Sequence, residues 1–456
     1  MYANQAPVTD GLSFEDAMKR TLEYNLEHRL KLMEEALALG QLDVARFDML
    51  PRLVVSAGYF QRSNELVTDS IDVGTRNVVL GNTTSQEKTH RTADLALTWN
   101  ALDFGVSYFQ AKQQADRSLI MVERKRKTVQ TLNQQLRNTY WLAVGAQALE
   151  GRVEPLLREV NKALQDAEAV EREKLRPPLE TLNYRKSMLD IVRQLEAMRD
   201  ELSQAKPKLA ALMNLKPGSK FNVAVPKDLK VPGLPMKLEE MEEAALRDRP
   251  ELREADLQDR ISVAETKKAM ARMLPGVEVF AGPHYDSNRY LHNNHWNDVG
   301  MRVNWNLFNI FTGPKQREIA EMQVDINRMQ RMAMTMAVLT QVHVAWQDYN
   351  GRLRQYELAQ QMFDIDQKIY EHTRVGAQND AQSRLNEIRS NVSALMAEYR
   401  KYQNFAALQS TYGQLIATVG QDPLPTGVKV PEIPKVRAEA PTGDKPRLVA
   451  TAEKVK

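Results

Sequence analysis

Two stretches decide how this chain is read: "WNALDFG" from Trp99 to Gly105, and "WNLFNIFTG" from Trp305 to Gly313. Each closes a short run of alternating residues and opens a long polar stretch of helical periodicity. Before the first, "TADLALTWN" sets Ala93, Leu95, Leu97 and Trp99 on one side and Thr92, Asp94, Ala96 and Thr98 on the other. Before the second, Val299, Met301, Val303 and Trp305 alternate with Gly300, Arg302 and Asn304. A period of two is the mark of a strand with one apolar and one polar face. Trp99, Gly105, Trp305 and Gly313 thus mark two strand-to-helix junctions, with the glycines expected to relieve crowding at the bend.

Working outward, the two phrases belong to an internal duplication. "LSFEDAMKRTLEYN" from Leu12 aligns with the segment from Met236, and Leu50-Pro51 aligns with Leu274-Pro275, at an offset of 224 residues. The Trp-Asn phrases align at 206, so the first copy holds 18 extra residues between its Pro and its Trp. Each half reads helix, strand, strand, helix, helix. Residues 12–214 are read as the first repeat, 215–235 as a Pro- and Gly-rich connector, 236–420 as the second repeat and 421–456 as a Pro-rich, basic, disordered tail.

Helix length carries a geometric message. The stretch from Val106 to Leu175 would span roughly 105 Å as one helix. Its apolar positions Leu119, Val122, Val129, Leu132, Leu136, Tyr140 and Ala143 follow coiled-coil spacing. Segments from Ser13 to Leu50 and from Leu179 to Leu212 together match that length, and the second half repeats the arithmetic from Leu238, Pro314 and Asn379. Narrow apolar seams with polar faces between them suit a wall of helices, and a wall closed on itself is a tube.

Composition excludes several functions. Lys and Arg number 62 against 59 Asp and Glu, a net charge of +3, which gives no case for nucleic acid. With no cysteine, there is no disulfide, thiolate metal site or catalytic thiol. The amino-terminal "MYANQAPVTDGLSFEDAMKR" has no signal-peptide pattern, so a mature form or a cytosolic chain is expected. No apolar run approaches the roughly 18 residues of a membrane-spanning helix, whereas strands of about 8 to 10 residues suit a membrane barrel. Four such strands cannot close one, since the smallest needs about eight, so several chains must share it. No nucleophile motif, phosphate loop or placed carboxylate pair appears, and no enzyme activity or cofactor is expected.

The duplication, the Leu-Pro before each first strand, the Trp-containing strand running through "LDFG" or "LFNIFTG" into a long helix, "RPPLETLNYRKS" and "AKPKLAALMNLKPG" together resemble the TolC family of outer-membrane export channels, from about Leu12 to Gly420. The resemblance implies an α+β membrane protein: a homotrimer whose three chains share a 12-stranded β-barrel, four strands each, above a long α-helical barrel crossing the periplasm. It implies that the connector and the carboxyl-terminal region form a belt around that tube. It further implies a passive conduit of a tripartite efflux or type I secretion system, whose partners are outer-membrane lipid, a periplasmic adaptor and an inner-membrane pump. Residues 64–91 and 286–297 would be outward loops. Residues 172–181 and 372–384 would be periplasmic tips, with adaptor contact and gate at Arg176, Pro177, Pro178, Thr181, Gly376, Asn379 and Asp380. Gly376 matches the tip glycine of relatives. Arg176-Pro177-Pro178 replaces a glycine turn, and Asp380 is the only carboxylate between Gly376 and Glu387, so the acidic ring of relatives would be thinned or displaced.

Other readings compete. A periplasmic adaptor would carry Gly-rich β segments around one hairpin rather than a doubled unit, and a soluble coiled-coil scaffold would need no detergent. His284, His292 and His295 near the second outer loop have loose metal-ligand spacing, and read as a solvated loop. Met329, Met332, Met334 and Met336 suit Cu(I) in principle, but read as adaptable packing.

Overall fold

The computed structural model describes residues 5–8, 11–69, 71–78, 83–173, 177–376 and 381–422. The elements run α1 (Phe14–Tyr24), α2 (Leu26–Phe47), β1 (Arg52–Gln61), β2 (Thr89–Asn100), α3 (Ala101–Arg172) and α4 (Pro178–Leu212), then α5 (Leu238–Asp248), α6 (Pro250–Ala271), β3 (Gly276–Asp286), β4 (His295–Asn304), α7 (Asn309–Gly376) and α8 (Ala381–Thr418).

Where one helix was expected from Ser13 to Leu50, two form, of 11 and 22 residues. Asn25 makes the break. Its extended backbone ends α1, and its side chain accepts from the amides of Glu27 and His28 to cap α2. The expected helix from Leu238 divides into the same two lengths at Arg249. Here Pro250 is responsible, because it pushes the preceding residue out of helical space and sits at the first position of α6. Two unrelated devices thus give one geometry.

Helix α3 has 72 residues and is about 108 Å long. It continues through Pro155, which removes one hydrogen bond to the carbonyl four residues back, at Gly151. α3 is the spine of a single layer. Its first part lies between α2 and α6, its later part between α4 and α8, and α7 runs along α6 and then α8. Among the described residues the order across the layer is therefore α2–α3–α6–α7 near the sheet, and α4–α3–α8–α7 away from it.

A packed core lies midway, where the connector crosses. Met18 and Leu22 of α1, Leu136, Tyr140 and Val144 of α3, Leu209 of α4, and Phe221 and Val223 of the connector form one cluster. Met241, Val342, Tyr349, Phe405 and Leu415 form its counterpart in the second half. The connector makes a parallel bridge from Val223 to Leu12. Gln147 holds that bridge, accepting from Val223 N and donating to Val223 O, both at 2.8 Å.

The four strands make one antiparallel sheet in the order β1-β2-β3-β4. Register places Leu53 opposite Leu97, Trp99 opposite Val279 and Val279 opposite Met301. Among the described residues, β1 and β4 are edges without a partner.

Candidate functional site

The sheet has two chemically distinct faces. On one, Leu53, Val55, Leu95, Leu97, Val279, Val299, Met301 and Val303 share an exposed apolar surface, with Val55 77% and Val299 81% exposed. The other face carries Arg52, Asp94, Glu278, His284, Asp298 and Arg302. On it His284 stacks on Trp296 at 5.5 Å, with Nδ1 2.7 Å from Asp94 and Nε2 3.5 Å from Asp298. Of the three histidines singled out in sequence, His284 is on this polar face and His295 on β4 faces the opposite side. They are not brought together, and among the described residues no group of three metal-ligating side chains forms.

The two junctions differ. Trp99 is the penultimate residue of β2, and Asn100 caps α3 directly by accepting from Leu102 N and Asp103 N. Gly105 lies in the first turns of α3 with open space where a Cβ would be, so no crowding requires a glycine there. In the second copy β4 ends at Asn304, so Trp305 falls beyond the strand rather than on it. Its indole Nε1 donates to Met273 O at 3.1 Å, while Asn309 donates to Arg272 O at 3.0 Å. Gly313 does meet a close neighbour: a Cβ there would lie 2.6 Å from the Met273 side chain. Phe308 before α7 and Phe311 in its first turn are 75% and 78% exposed.

Both margins of the helical layer are apolar and uncovered. On α2 the exposed residues are Leu26, Leu30, Met33, Leu37, Val44 and Phe47; on α4 they are Leu179, Leu182 and Leu189. On α7, at the opposite margin, they are Ile319, Met322, Ile326, Met329 and Met336, then Leu358, Met362, Ile365 and Ile369. Spacings of three, four and seven are those of a helix seam awaiting another helix. Of the clustered methionines, Met329 and Met336 lie on this margin.

At the end remote from the sheet, Pro177 precedes α4 and Pro178 occupies its first position, where a missing amide costs nothing. Thr181 is buried in the next turn, and Gly376 is the last residue of α7. Arg176, Asn379 and Asp380 lie outside the described residues. Side-chain links tie the helices here and further along the layer. Arg185 of α4 pairs with Glu168 and Glu171 of α3, Arg389 of α8 donates to Ser187 of α4 at 2.6 Å, and Tyr399 of α8 bonds Glu201 of α4. Burial, then the hydrogen bond to Glu201, pushes the Tyr399 hydroxyl well above the ordinary tyrosine value.

Sequence reasoning missed several of these residues. Asn25 and Arg249-Pro250 were readable as a cap and a breaker. The links of Tyr399 and Arg389 join segments about 200 positions apart and leave no local signal.

No family model matches the sequence, and no curated protein matches it by sequence. Solved structures do match. The outer-membrane channel OprN aligns over 89% of this chain and 89% of its own, at 18% identity and TM-score 0.64. CusC, solved in a study of transmembrane channel formation, aligns over 92% and 96%, at 16% identity and TM-score 0.68. The Neisseria gonorrhoeae MtrE outer-membrane channel, in its open state, aligns over 95% and 96%, at 13% identity and TM-score 0.67. The fold of this chain is therefore that of the TolC-like outer-membrane channels.

Proposed function

We propose that the chain is one of three identical subunits of an outer-membrane efflux or secretion channel, built from two copies of one helix-strand-strand-helix-helix unit. The observation that carries this reading is the pair of uncovered margins. The α2/α4 margin and the α7 margin lie on opposite sides of the layer, and each presents a helix seam. Surfaces that differ, on opposite sides of one chain, join head to tail and form a ring where the rotation closes. The sheet carries the same logic: β1 and β4 are free on opposite sides, and three copies supply 12 strands, enough for a barrel. In that barrel the apolar face meets lipid, the polar face lines water, and Trp99 and Trp305 lie near the headgroup layer.

Likeness in fold to channel proteins supports the same conclusion. The chain would act as a passive conduit without catalysis, its helices crossing the periplasm to meet an adaptor and a pump. We place those contacts and the gate at the tips, with Arg176, Pro177, Pro178, Thr181, Gly376, Asn379 and Asp380 as the residues concerned. No cofactor enters this function.

The test is extraction and conductance. The full chain should leave membranes only with detergent, run as a trimer on cross-linking, and conduct ions in planar bilayers. Asp380→Lys should alter that conductance at an unchanged trimer yield. A chain that stays soluble and monomeric without detergent would point to a scaffold and end the channel reading.

A further inference from the structure

A cavity away from the sheet carries a chemistry of its own. It has a volume of about 410 Å³ and lies between α3, α4 and α8 near the tip. That is within the roughly 300–1,000 Å³ of sites for drug-sized molecules. Its walls are chemically divided. Ala163, Ala167 and Val170 of α3 and Leu385 of α8 give an apolar floor. Thr181, Tyr184 and Ser187 of α4 add hydroxyls, and Arg384 and Arg389 of α8 add two guanidinium groups.

Those two arginines are the unusual feature. Arg389 uses one amino group on Ser187 Oγ at 2.6 Å, and among the described residues neither it nor Arg384 has a carboxylate within 4 Å. Acids are close in sequence on α3, but Glu168 and Glu171 are taken by Arg185. Asp166 of α3 also lines the cavity. A guanidinium with several free donors, beside an apolar floor, is complementary to a planar anion attached to an apolar body.

We propose that this cavity binds an anionic amphiphile, with an aryl or short alkyl body on the floor of Ala163, Ala167, Val170 and Leu385 and a sulfonate or carboxylate on Arg389 and Arg384. Asp166 disfavours a second negative group, so the ligand carries one. Because its walls come from three helices, an occupant ties α8 to α3 and α4. The binding step itself does not depend on the channel reading.

The experiment is calorimetric titration of the full chain in dodecyl maltoside with naphthalene-1-sulfonate, against naphthalene-1-methylamine, with a detergent-only titration subtracted. The sulfonate should bind saturably with one site per chain, and the amine should not. Arg389→Gln should weaken the sulfonate about tenfold or more, as expected for loss of a charge-assisted hydrogen bond. Ala167→Trp, which fills the floor, should remove binding, and Arg384→Gln serves in its place if that variant does not fold. Absence of saturable binding, equal binding of the amine, or an unchanged affinity in a folded Arg389→Gln chain would overturn the proposal. A chain that binds the sulfonate but does not conduct would leave the site standing and defeat only the channel reading.

Discussion

At the scale of single residues, Tyr140 shows how one hydroxyl locks two distant segments. It is buried in α3 and donates to Leu12 O at 3.0 Å, the same carbonyl that accepts from Ala224 N. Burial first, then the charge of Asp16, pushes its hydroxyl up to about 12. The sign follows. The folded chain keeps this proton after the unfolded chain has begun to lose it, so the contribution is complete below the ordinary tyrosine value of 10.0 and is lost as pH rises towards 12. Tyr140→Phe should cost about 1 kcal/mol at pH 8, at the modest end because Leu12 O keeps its second donor. Urea unfolding at pH 8 and at pH 11 tests this: the gap to the parent chain should narrow at the higher pH, and a constant gap would refute the assignment. The sequence marked Tyr140 as a seam position through its spacing from Leu136 and Ala143. Its polar partner, more than a hundred residues away, was invisible there.

At the scale of elements, the strands and long helices were legible because each rests on a periodicity. Leu95, Leu97 and Trp99 mark a strand by alternation, and Leu132, Leu136 and Tyr140 mark a helix by spacings of four. Boundaries were less legible, since a terminus depends on what receives it. Trp305 continued the alternation of Val303 but left the strand, because Met273 O captures its indole. Helix pairing is likewise set by close approaches that no single segment reveals. Gly145 of α3 is one: a Cβ there would lie 2.7 Å from the Tyr402 side chain of α8. Alanine in place of glycine gains about 0.5–1 kcal/mol of helix propensity. Overpacking costs about 1–3 kcal/mol, so the net effect of Gly145→Ala should be destabilising. A double-mutant cycle checks the cause: in a Tyr402→Ala background the same change should become stabilising. If it destabilises equally in both backgrounds, the close approach is not the reason for the glycine.

At the scale of the whole molecule, the candidate site is distributed, and only part of it was readable. Seams on both flanks of the helices were expected from their narrow apolar faces. Which flanks stay uncovered follows only from the order α2–α3–α6–α7, which brings distant segments together. That order makes a prediction about assembly. Leu37→Glu places a charge on the α2 margin, and Met329→Glu places one on the α7 margin, both on exposed positions where the fold of the single chain is unaffected. A charge buried in an apolar seam without a partner is costly enough to break it. Each variant alone should therefore remain monomeric in detergent while keeping its helix content. Mixed in equal amounts, the two should form a dimer and stop there. The intact α7 margin of the first variant meets the intact α2 margin of the second, and the remaining two margins both carry the charge. Analytical ultracentrifugation distinguishes the outcomes. A like-to-like joint predicts that one of the two variants dimerises unaided, since its own margin would be whole, and that result would replace the head-to-tail ring with a two-fold contact.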